Sequence, residues 1–335
     1  MIFKKILILQ LLILLFSIKI EAQLGLSDQY FSSISDVYFD HMNRPIIVQE
    51  DGDFHVIQYD ESGSKILDRY VPDGRGPGES ELIESSFYNK EENNLYLKSS
   101  DGSILIYQQG ILLGQFNSGM KGRATGMTIY KQKLILSSQL TVTSEMLEED
   151  GELIIASVLD LKAQTLEKEI KIKVSELGLN NIRNLNKVRY FFLNTSIQLL
   201  YENTYAIVIQ GIPYIYIYKD YELISKQNLD YPSNNKIFVK EHNLYGFGVQ
   251  IPALGNNFQK INETDFLITY GNSSQNIGFG FLYLFYEKND DKLEIIEDVS
   301  VNGIQDINTL KLKTYDNYYF IFDYISRFAT SIFIQ

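Results

Sequence analysis

The chain has 335 residues, of which 45% are hydrophobic and 13% aromatic, so it contains enough apolar material for a sizeable core. It has no cysteine, which excludes a disulfide framework and thiol chemistry. The formal net charge of −12 argues against a nucleic-acid partner, because binding to phosphates requires clustered Lys and Arg.

The N-terminus has the pattern of a secretory signal. Two lysines precede an apolar run, Ile6–Phe16, and Ile20-Glu21-Ala22 offers a small residue for cleavage. A membrane anchor is the alternative, but spanning a bilayer takes about 20 apolar residues. We predict that residues 1–22 are a signal peptide and that residues 23–335 form one domain. We expect export to the periplasm or the cell exterior, with no stable membrane insertion after cleavage.

Apolar residues recur along the rest of the chain in short alternating runs, such as Ser103–Tyr107 and Tyr214–Tyr218. Alternation with period two, rich in Ile, Val, Tyr and Phe, predicts half-buried β-strands. Asp-Gly pairs such as Asp101-Gly102 separate the runs and supply the positive φ angles that tight hairpins need. We therefore predict an all-β chain without a persuasive amphipathic helix, in which Ser175–Asn186 holds a helical turn or two.

The predicted strands fall into six sequential groups of three or four. These run from Ile34 to Tyr70, Phe87 to Phe116, Gly126 to Val174, Tyr190 to Leu229, Tyr245 to Val299, and Leu310 to Ile334. Radial repetition of such meanders is how a β-propeller protects its sheet edges. We predict a six-bladed β-propeller of antiparallel meanders, closed by pairing of the N- and C-terminal strands, with Leu24–Ser32 completing the last sheet. A β-sandwich is the structural alternative.

One connector has a distinctive sequence. Gly74-Arg75-Gly76-Pro77-Gly78-Glu79 follows the first strand group and resembles the inter-blade loop of the NHL/TolB-like six-bladed propellers that bacteria secrete. That family usually has an aromatic residue at the next position, where this chain has Ser80. The resemblance implies a propeller fold and export, and it implies no particular activity.

The glycines and Pro77 of this string suit a fixed connector, because glycine adopts backbone angles that other residues avoid and proline restricts φ. Consecutive N–H groups in such a loop can form an anion-binding nest. The phosphate-binding pattern G-x-x-x-x-G-K-[ST] is absent, so we predict neither nucleotide binding nor a cofactor.

Three arginines lie in predicted connectors between groups: Arg75, Arg123 and Arg183. Guanidinium groups around one mouth of a propeller channel would bind a carboxylate, sulfate or phosphate with forked hydrogen bonds. We predict an anion-binding role for these three residues. The alternative is that each one ties down loop carbonyls or a neighbouring carboxylate.

Residues for catalysis or metal binding do not form a pattern. His41, His55 and His242 are far apart in sequence, and we expect core or surface roles for them. The acidic runs Glu50–Asp53 and Glu148–Glu152 have the composition of charged hairpin tips. We predict a binding module for a small anionic ligand, peptide, glycan or partner protein, with no metal site. The alternative is a propeller hydrolase or lyase with a metal or carboxylate site at the channel mouth.

Overall fold

Antiparallel strands dominate the computed structural model, which describes residues 34–50, 52–179, 182–229, 237–242, 246–251, 258–260, 263–271, 278–302, 310–315, 318–323 and 328–333. The predicted signal peptide (1–22) and the predicted closing strand (Leu24–Ser32) lie outside these residues. No helix within the described ranges is long and apolar enough to cross a bilayer. The chain divides into two compact units, Met1–Phe116 with Thr309–Gln335, and Asn117–Asn308.

Unit 1 contains three meander sheets, in which each strand pairs with the next along the chain. Sheet 1 consists of β1 (Ile34–Phe39), β2 (Pro45–Gln49), β3 (Phe54–Tyr59) and β4 (Ile66–Pro72). Sheet 2 consists of β5 (Ile83–Asn89), β6 (Asn94–Ser99), β7 (Ser103–Gln108) and β8 (Ile111–Asn117). Sheet 6 consists of β25 (Leu310–Tyr315), β26 (Tyr318–Asp323) and β27 (Phe328–Phe333). The first strand of sheet 1 lies beside the first strands of both sheet 2 and sheet 6.

In the described residues, unit 2 contains three four-stranded sheets and two small two-stranded sheets. Sheet 3 consists of β9 (Ala124–Tyr130), β10 (Lys133–Ser138), β12 (Glu152–Asp160) and β13 (Thr165–Lys173). Sheet 4 consists of β15 (Thr195–Tyr201), β16 (Thr204–Ile209), β17 (Tyr214–Lys219) and β18 (Glu222–Asn228). Sheet 5 consists of β21 (Phe258–Lys260), β22 (Asp265–Gly271), β23 (Gly278–Glu287) and β24 (Lys292–Asn302). The small sheets pair β11 (Leu140–Thr143) with β14 (Tyr190–Leu193), and β19 (Phe238–His242) with β20 (Gly246–Gln250).

The all-β prediction is confirmed, and each of the six large sheets overlaps one of the six predicted strand groups. Three sheets start four or more residues away from the predicted position. Sheet 2 begins at Ile83 and not at Phe87, sheet 4 begins at Thr195 and not at Tyr190, and sheet 5 begins at Phe258 and not at Tyr245. The second difference arises because Tyr190–Leu193 pairs with β11, a strand inserted inside sheet 3.

Alternate residues of sheet 4 face two different cores. Along β16, Tyr205, Ile207 and Ile209 join a buried cluster with residues of sheet 3, whereas Ala206 and Val208 join a second cluster with residues of sheet 5. Period-two alternation sends successive side chains to opposite faces of a sheet, so sheet 4 is covered on both faces. A two-layer sandwich leaves one face of each sheet to solvent, and sheet 4 does not fit it.

Turn residues fix the hairpins between these strands. Asp40 follows β1 and its carboxylate accepts hydrogen bonds from the backbone N–H groups of Met42 and Arg44, both at 2.9 Å. The same carboxylate accepts bonds from Arg44 Nε at 2.7 Å and Gln58 Nε2 at 2.9 Å. Short Asp and Asn side chains satisfy turn N–H groups in this way because they reach their own backbone a few residues on. Asp160 holds the turn after β12 with two similar bonds.

One short helix departs from the sequence prediction. Helix α1 spans Ser144–Glu149, where Glu148–Glu152 was expected to be a charged hairpin tip. Thr143 caps its N-terminus by accepting a bond from Met146 N–H, and Asp150 ends it in the left-handed conformation. Two 3-10 turns, η1 (Val174–Leu177) and η2 (Leu185–Lys187), occupy the stretch where a helical turn or two was predicted.

We predict that Asp40→Asn lowers the free energy of unfolding at neutral pH by about 2 kcal/mol, because it removes the charge that accepts the bonds from Arg44. Burial raises the pKa of Asp40, but the hydrogen bonds from Arg44 and Met42 outweigh it, and the pKa lies below its ordinary value. A lowered pKa contributes stability that is present above the ordinary value of about 3.9 and is lost as the pH falls through the lowered one. Urea unfolding at pH 7, 5 and 3 should therefore show the difference between wild type and variant shrinking in acid.

The control is Glu61→Gln, which changes an exposed carboxyl in the turn after β3 and should leave the unfolding curves unchanged. Equal stability of the Asp40 variant and the wild type at pH 7 would contradict this account of the turn.

Candidate functional site

The glycine-rich connector after β4 closes around its own carboxylate. Glu79 Oε2 accepts a hydrogen bond of 2.6 Å from Gly76 N–H, and Glu79 N–H donates to Gly76 O at 3.0 Å. A Cβ at Gly74 would overlap the Glu79 carboxylate, and one at Gly76 would lie 2.8 Å from its Cδ. Gly74 and Gly78 have φ angles of +151° and +77°, which side chains rarely adopt. The glycine-rich loop was predicted to bind an external anion. In the structure, the carboxylate of Glu79 occupies that position.

The end of this loop is anchored in the core of unit 1. Ser80 is buried, and its hydroxyl lies 2.6 Å from that of Ser99 in β6. The fully buried His55 places Nε2 2.6 Å from Ser80 O and Nδ1 3.3 Å from Gln49 O. A bulky aromatic residue at position 80 would displace these contacts. Gly78 completes the anchor by accepting a bond from Tyr107 Oη and donating one to Gln115 Oε1.

The three predicted arginines differ in their surroundings. Arg75 is 81% exposed and its Nε donates to Glu81 Oε1 at 2.7 Å. Arg123 is exposed at the start of sheet 3, where its carbonyl accepts a bond from Gln139 N–H, and it makes further interactions. Arg183 is exposed in the connector between η1 and η2. Arg75 lies in unit 1 and the other two lie in unit 2, so their roles in anion binding stay predictions.

Polar side chains join neighbouring first strands inside unit 1. Ser86 Oγ on β5 donates to Asp36 Oδ2 on β1 at 2.5 Å, and Tyr38 Oη lies 3.0 Å from the same Ser86 oxygen. Burial and the nearby Asp36 carboxylate raise the pKa of Tyr38 well above its ordinary value. On sheet 2, Lys98 and Glu84 form an ion pair of 3.3 Å whose side chains are only 2% and 9% exposed. Each of these groups is satisfied by another protein group, which favours a structural role.

The polar groups that line a small cleft in unit 1 also bind one another. The cleft is lined by Asp40, Gln58, Tyr88, Asn93 and Tyr107, among others. Asp40 accepts from Gln58, and Tyr88 donates to Asn93. In the part of the chain that the structure describes, no three His, Asp or Glu side chains lie close enough together to hold a metal ion. His41 is exposed, and the structure describes only the backbone of His242, within β19.

The small sheet β11–β14 has one buried and one exposed face. Leu140, Val142, Phe191 and Leu193 point into the core that sheets 3 and 4 share. The opposite face, which we call the aromatic face, consists of Thr141, Thr143, Tyr190 and Phe192. Tyr190 is 53% exposed and Phe192 46%, and their rings meet edge to face with centroids 5.6 Å apart. Two exposed aromatic rings on a fixed backbone form a platform that can pack against apolar or planar groups.

The neighbours of the aromatic face hold it in place. Ser144 N–H at the start of α1 donates to Arg189 O at 3.2 Å, next to Tyr190. Leu185 and Val188, in and after η2, are buried, and Met146 and Leu147 of α1 pack on the same core. Asp150 ties α1 to η1 through bonds from the Ser175 N–H and hydroxyl. Sequence analysis missed this surface because its two strands lie far apart in the chain and each has only four residues.

We predict that Glu79→Ala opens the glycine-rich loop, because Gly76 N–H loses its acceptor and the glycines lose the side chain that they enclose. Trypsin cleavage after the exposed Arg75 should then accelerate by about tenfold or more, since cleavage follows local opening. The measurement is limited proteolysis followed by mass spectrometry of the cleaved bond.

Glu81→Ala is the matched control, since it removes only the exposed ion pair with Arg75. Its cleavage rate should equal that of the wild type. Equal rates in all three proteins would show that Glu79 does not hold the loop.

Comparison with known proteins supports the architecture. No protein-family model matches this chain, and no curated protein matches it. Its fold is similar to the crystal structure of a DUF4221 family member from Bacteroides vulgatus, with a TM-score of 0.56 and 12% identity over 88% of each chain. It is also similar to the WD40 β-propeller domain of Doa1, with a TM-score of 0.51 and 11% identity, covering 91% of this chain and 84% of that one. At such low identities the similarity shows the β-propeller fold alone.

Proposed function

We propose that this protein is a non-catalytic binding module that uses the aromatic face of β11–β14 to contact a partner protein. The observation that carries the proposal is the exposure of Tyr190 and Phe192 on a sheet whose other face is buried. Exposed aromatic side chains on a rigid support supply large contact area at low entropic cost, and such residues are enriched in protein interfaces. A monomer gains no stability from exposing both rings, which favours a role in recognition.

The polar clusters among the described residues are used inside the protein, which favours a binding role over a catalytic one. Glu79, Asp40 and the Lys98–Glu84 pair are each engaged by internal partners. A catalytic acid, base or nucleophile needs a free functional group that faces a substrate. The aromatic face supplies contact area, and none of its four side chains is a carboxylate, imidazole or amine.

We also propose that the protein is exported after removal of residues 1–22 and that its six sheets are the blades of a propeller related to the NHL/TolB-like family. The Gly74–Glu79 string supports the family assignment. Sheet 6 has three strands in the described residues, and its first strand β25 lies beside β1. The segment Leu24–Ser32, which precedes β1, would supply the fourth strand and protect the edge of the last sheet.

Deleting Leu24–Ser32 from the mature chain should therefore lower the midpoint of thermal unfolding by several degrees, because the outer edge of sheet 6 loses a strand. Replacing the same segment with nine Gly and Ser residues should cause a similar loss, since it keeps the length but removes the apolar side chains. Circular dichroism melting of the three proteins is the measurement. Unchanged melting of both variants would contradict the closure.

The proposed interaction predicts site-specific crosslinking in cells. A benzoyl-phenylalanine introduced at Tyr190 should give one discrete crosslinked product with the partner under native expression. The control is the same substitution at Tyr201, an aromatic residue at the end of β15 that is 41% exposed. Immunoblotting of irradiated cells compares the two proteins. A product at neither position, or equal products at both, would contradict a role for the aromatic face.

A further inference from the structure

Sheet 2 ends in an edge strand, β8, that contains no charged residue. The last strands of sheets 1, 3, 4 and 5 contain charged residues, among them Arg69, Lys171, Lys226 and Glu294. In contrast, no Asp, Glu, Lys or Arg occurs between Asp101 and Lys121, a stretch that includes β7 and β8. Natural sheets protect their edges with charge, proline or bulges, because unpaired backbone groups can pair with another chain. In the described residues β8 pairs with β7 alone, so it is an edge without charge protection.

The same strand exposes two aliphatic side chains. Ile111 is 67% exposed and Leu113 54%, the largest values for large hydrophobic side chains among the described residues. Leu112 lies between them in sequence and packs against the core of sheets 1 and 2. Successive side chains of a strand point to opposite faces, so Ile111 and Leu113 share the uncovered face. Two neighbouring aliphatic side chains in water favour a surface that another chain covers.

A glycine in the middle of β8 leaves room beside its backbone. Gly114 does not have a positive φ, and a Cβ added there would meet no atom within 4 Å. Neither the backbone conformation nor the packing of the described residues therefore requires glycine at this position. A glycine inside a strand is typical of places where another backbone approaches closely. This feature favours an extended chain as the ligand of β8.

An acidic group lies at the start of β8. A Cβ on Gly110 would overlap the Asp68 carboxylate, which therefore rests against the turn that opens the strand. Glu92 is close to the same turn, since Gln108 Nε2 donates to its carbonyl oxygen at 3.0 Å. Asp68 and Glu92 are both exposed. Their charges favour a cation at this end of the strand.

The basic residues that neighbour these carboxylates in sequence do not offset them. Asp68 and Tyr70 of β4 both lie against the turn that opens β8, so Arg69 between them points to the opposite face of sheet 1. Lys90 already interacts with another group of the protein, and the inference does not depend on it. The start of β8 thus combines apolar side chains with an acidic neighbour.

We infer that β8 receives an extended segment of a partner protein as an added β-strand, with apolar side chains at alternate positions and a lysine or arginine beside Asp68. Backbone hydrogen bonds to the free edge supply affinity, and Ile111 and Leu113 contact the apolar side chains. The inference goes beyond the proposed function, because Ile111 and Leu113 belong to unit 1 and the aromatic face belongs to unit 2.

Charge favours a different protein over a second copy of this chain. At the far end of β8, Gln115 Nε2 donates to Ser103 Oγ at 3.4 Å, and Ser103 donates through its N–H and hydroxyl to Asp101. Antiparallel pairing of two β8 strands would bring Asp68 of one copy towards Asp101 of the other, and parallel pairing would bring the two Asp68 residues together. Like charges repel in both arrangements, and each copy also carries a net charge of −12.

The test is selection from a phage-displayed library of random nine-residue peptides on the full mature chain, with counterselection on the double variant Ile111→Lys, Leu113→Lys. Selected peptides should combine Val, Ile, Leu, Tyr or Phe at alternate positions with Lys or Arg near one end. Fluorescence anisotropy of the most enriched peptide should then show at least tenfold weaker binding to the double variant. Circular dichroism confirms that each variant is folded.

Two further measurements test the geometry and the charge. N-methylation of alternate peptide residues should abolish binding for one set of positions and spare it for the other, because an added edge strand bonds to its neighbour through every second residue. Asp68→Asn should weaken binding by about threefold at low salt, and the difference should shrink as salt is added.

The matched control for the double variant is Leu223→Lys with Ile224→Lys. It adds the same charge to β18, the last strand of sheet 4, at side chains that are 41% and 44% exposed. This control should bind the peptide within about twofold of the wild type, since only general attraction is altered. Glu61→Gln, at an exposed carboxyl before β4, is the control for Asp68→Asn and should bind as the wild type does.

Four results would overturn the inference. They are no enrichment beyond the counterselected pool, equal loss of binding in the β18 control, loss of binding or full binding with both N-methylated sets, and enrichment of peptides with acidic ends. Sedimentation velocity of the protein alone tests the remaining occupant. A concentration-dependent dimer that the Ile111→Lys, Leu113→Lys variant abolishes would assign β8 to a second copy of the chain and refute the partner strand.

Discussion

The architecture of this protein depends on sheets that are buried on both faces. In sheet 4, neighbouring residues of β16 enter different cores, with Ile207 packed towards sheet 3 and Val208 towards sheet 5. A slip of one residue in strand register would exchange the two sets of side chains, so packing against sheets 3 and 5 fixes the strand pairing within sheet 4. The first strands of sheets 3 and 4 are also joined directly. Thr125 Oγ1 on β9 donates a hydrogen bond to Thr195 O on β15 at 2.6 Å.

This arrangement leaves the connectors as the places where function can reside. Inner strands such as β2, β6 and β16 use most of their side chains in the cores. The Gly74–Glu79 loop uses its own glutamate as the acceptor for the Gly76 N–H group. The extension formed by β11, α1 and β14 differs, because it buries one face and presents aromatic rings on the other. Loops and insertions on a rigid scaffold are where binding surfaces commonly occur. The scaffold supplies stability, and the extension supplies the contact surface.

Strands were predictable from the sequence because period-two alternation and turn residues are local signals, as in Tyr214–Tyr218 and the Asp101-Gly102 turn. Glycine spacing predicted a loop that can bind an anion. The spacing alone does not show that the anion is the chain's own Glu79 carboxylate. Helix α1 is too short to show an amphipathic period, and its cap at Thr143 is a single hydrogen bond. The aromatic face depends on pairing between residues about fifty positions apart, as with Val142 and Phe191, and no local pattern reports such a pairing.

The most direct test of the packing compares Ile207→Ser with Val208→Ser by urea unfolding under identical conditions. Both side chains are fully buried, so each substitution should lower the free energy of unfolding by about 3 kcal/mol. If one side of the sheet faced solvent, one of these two adjacent side chains would be exposed. Its substitution would then lower the free energy of unfolding by less than about 0.5 kcal/mol. Similar large losses in both variants are the result that the account predicts. Tolerance of either substitution would contradict it.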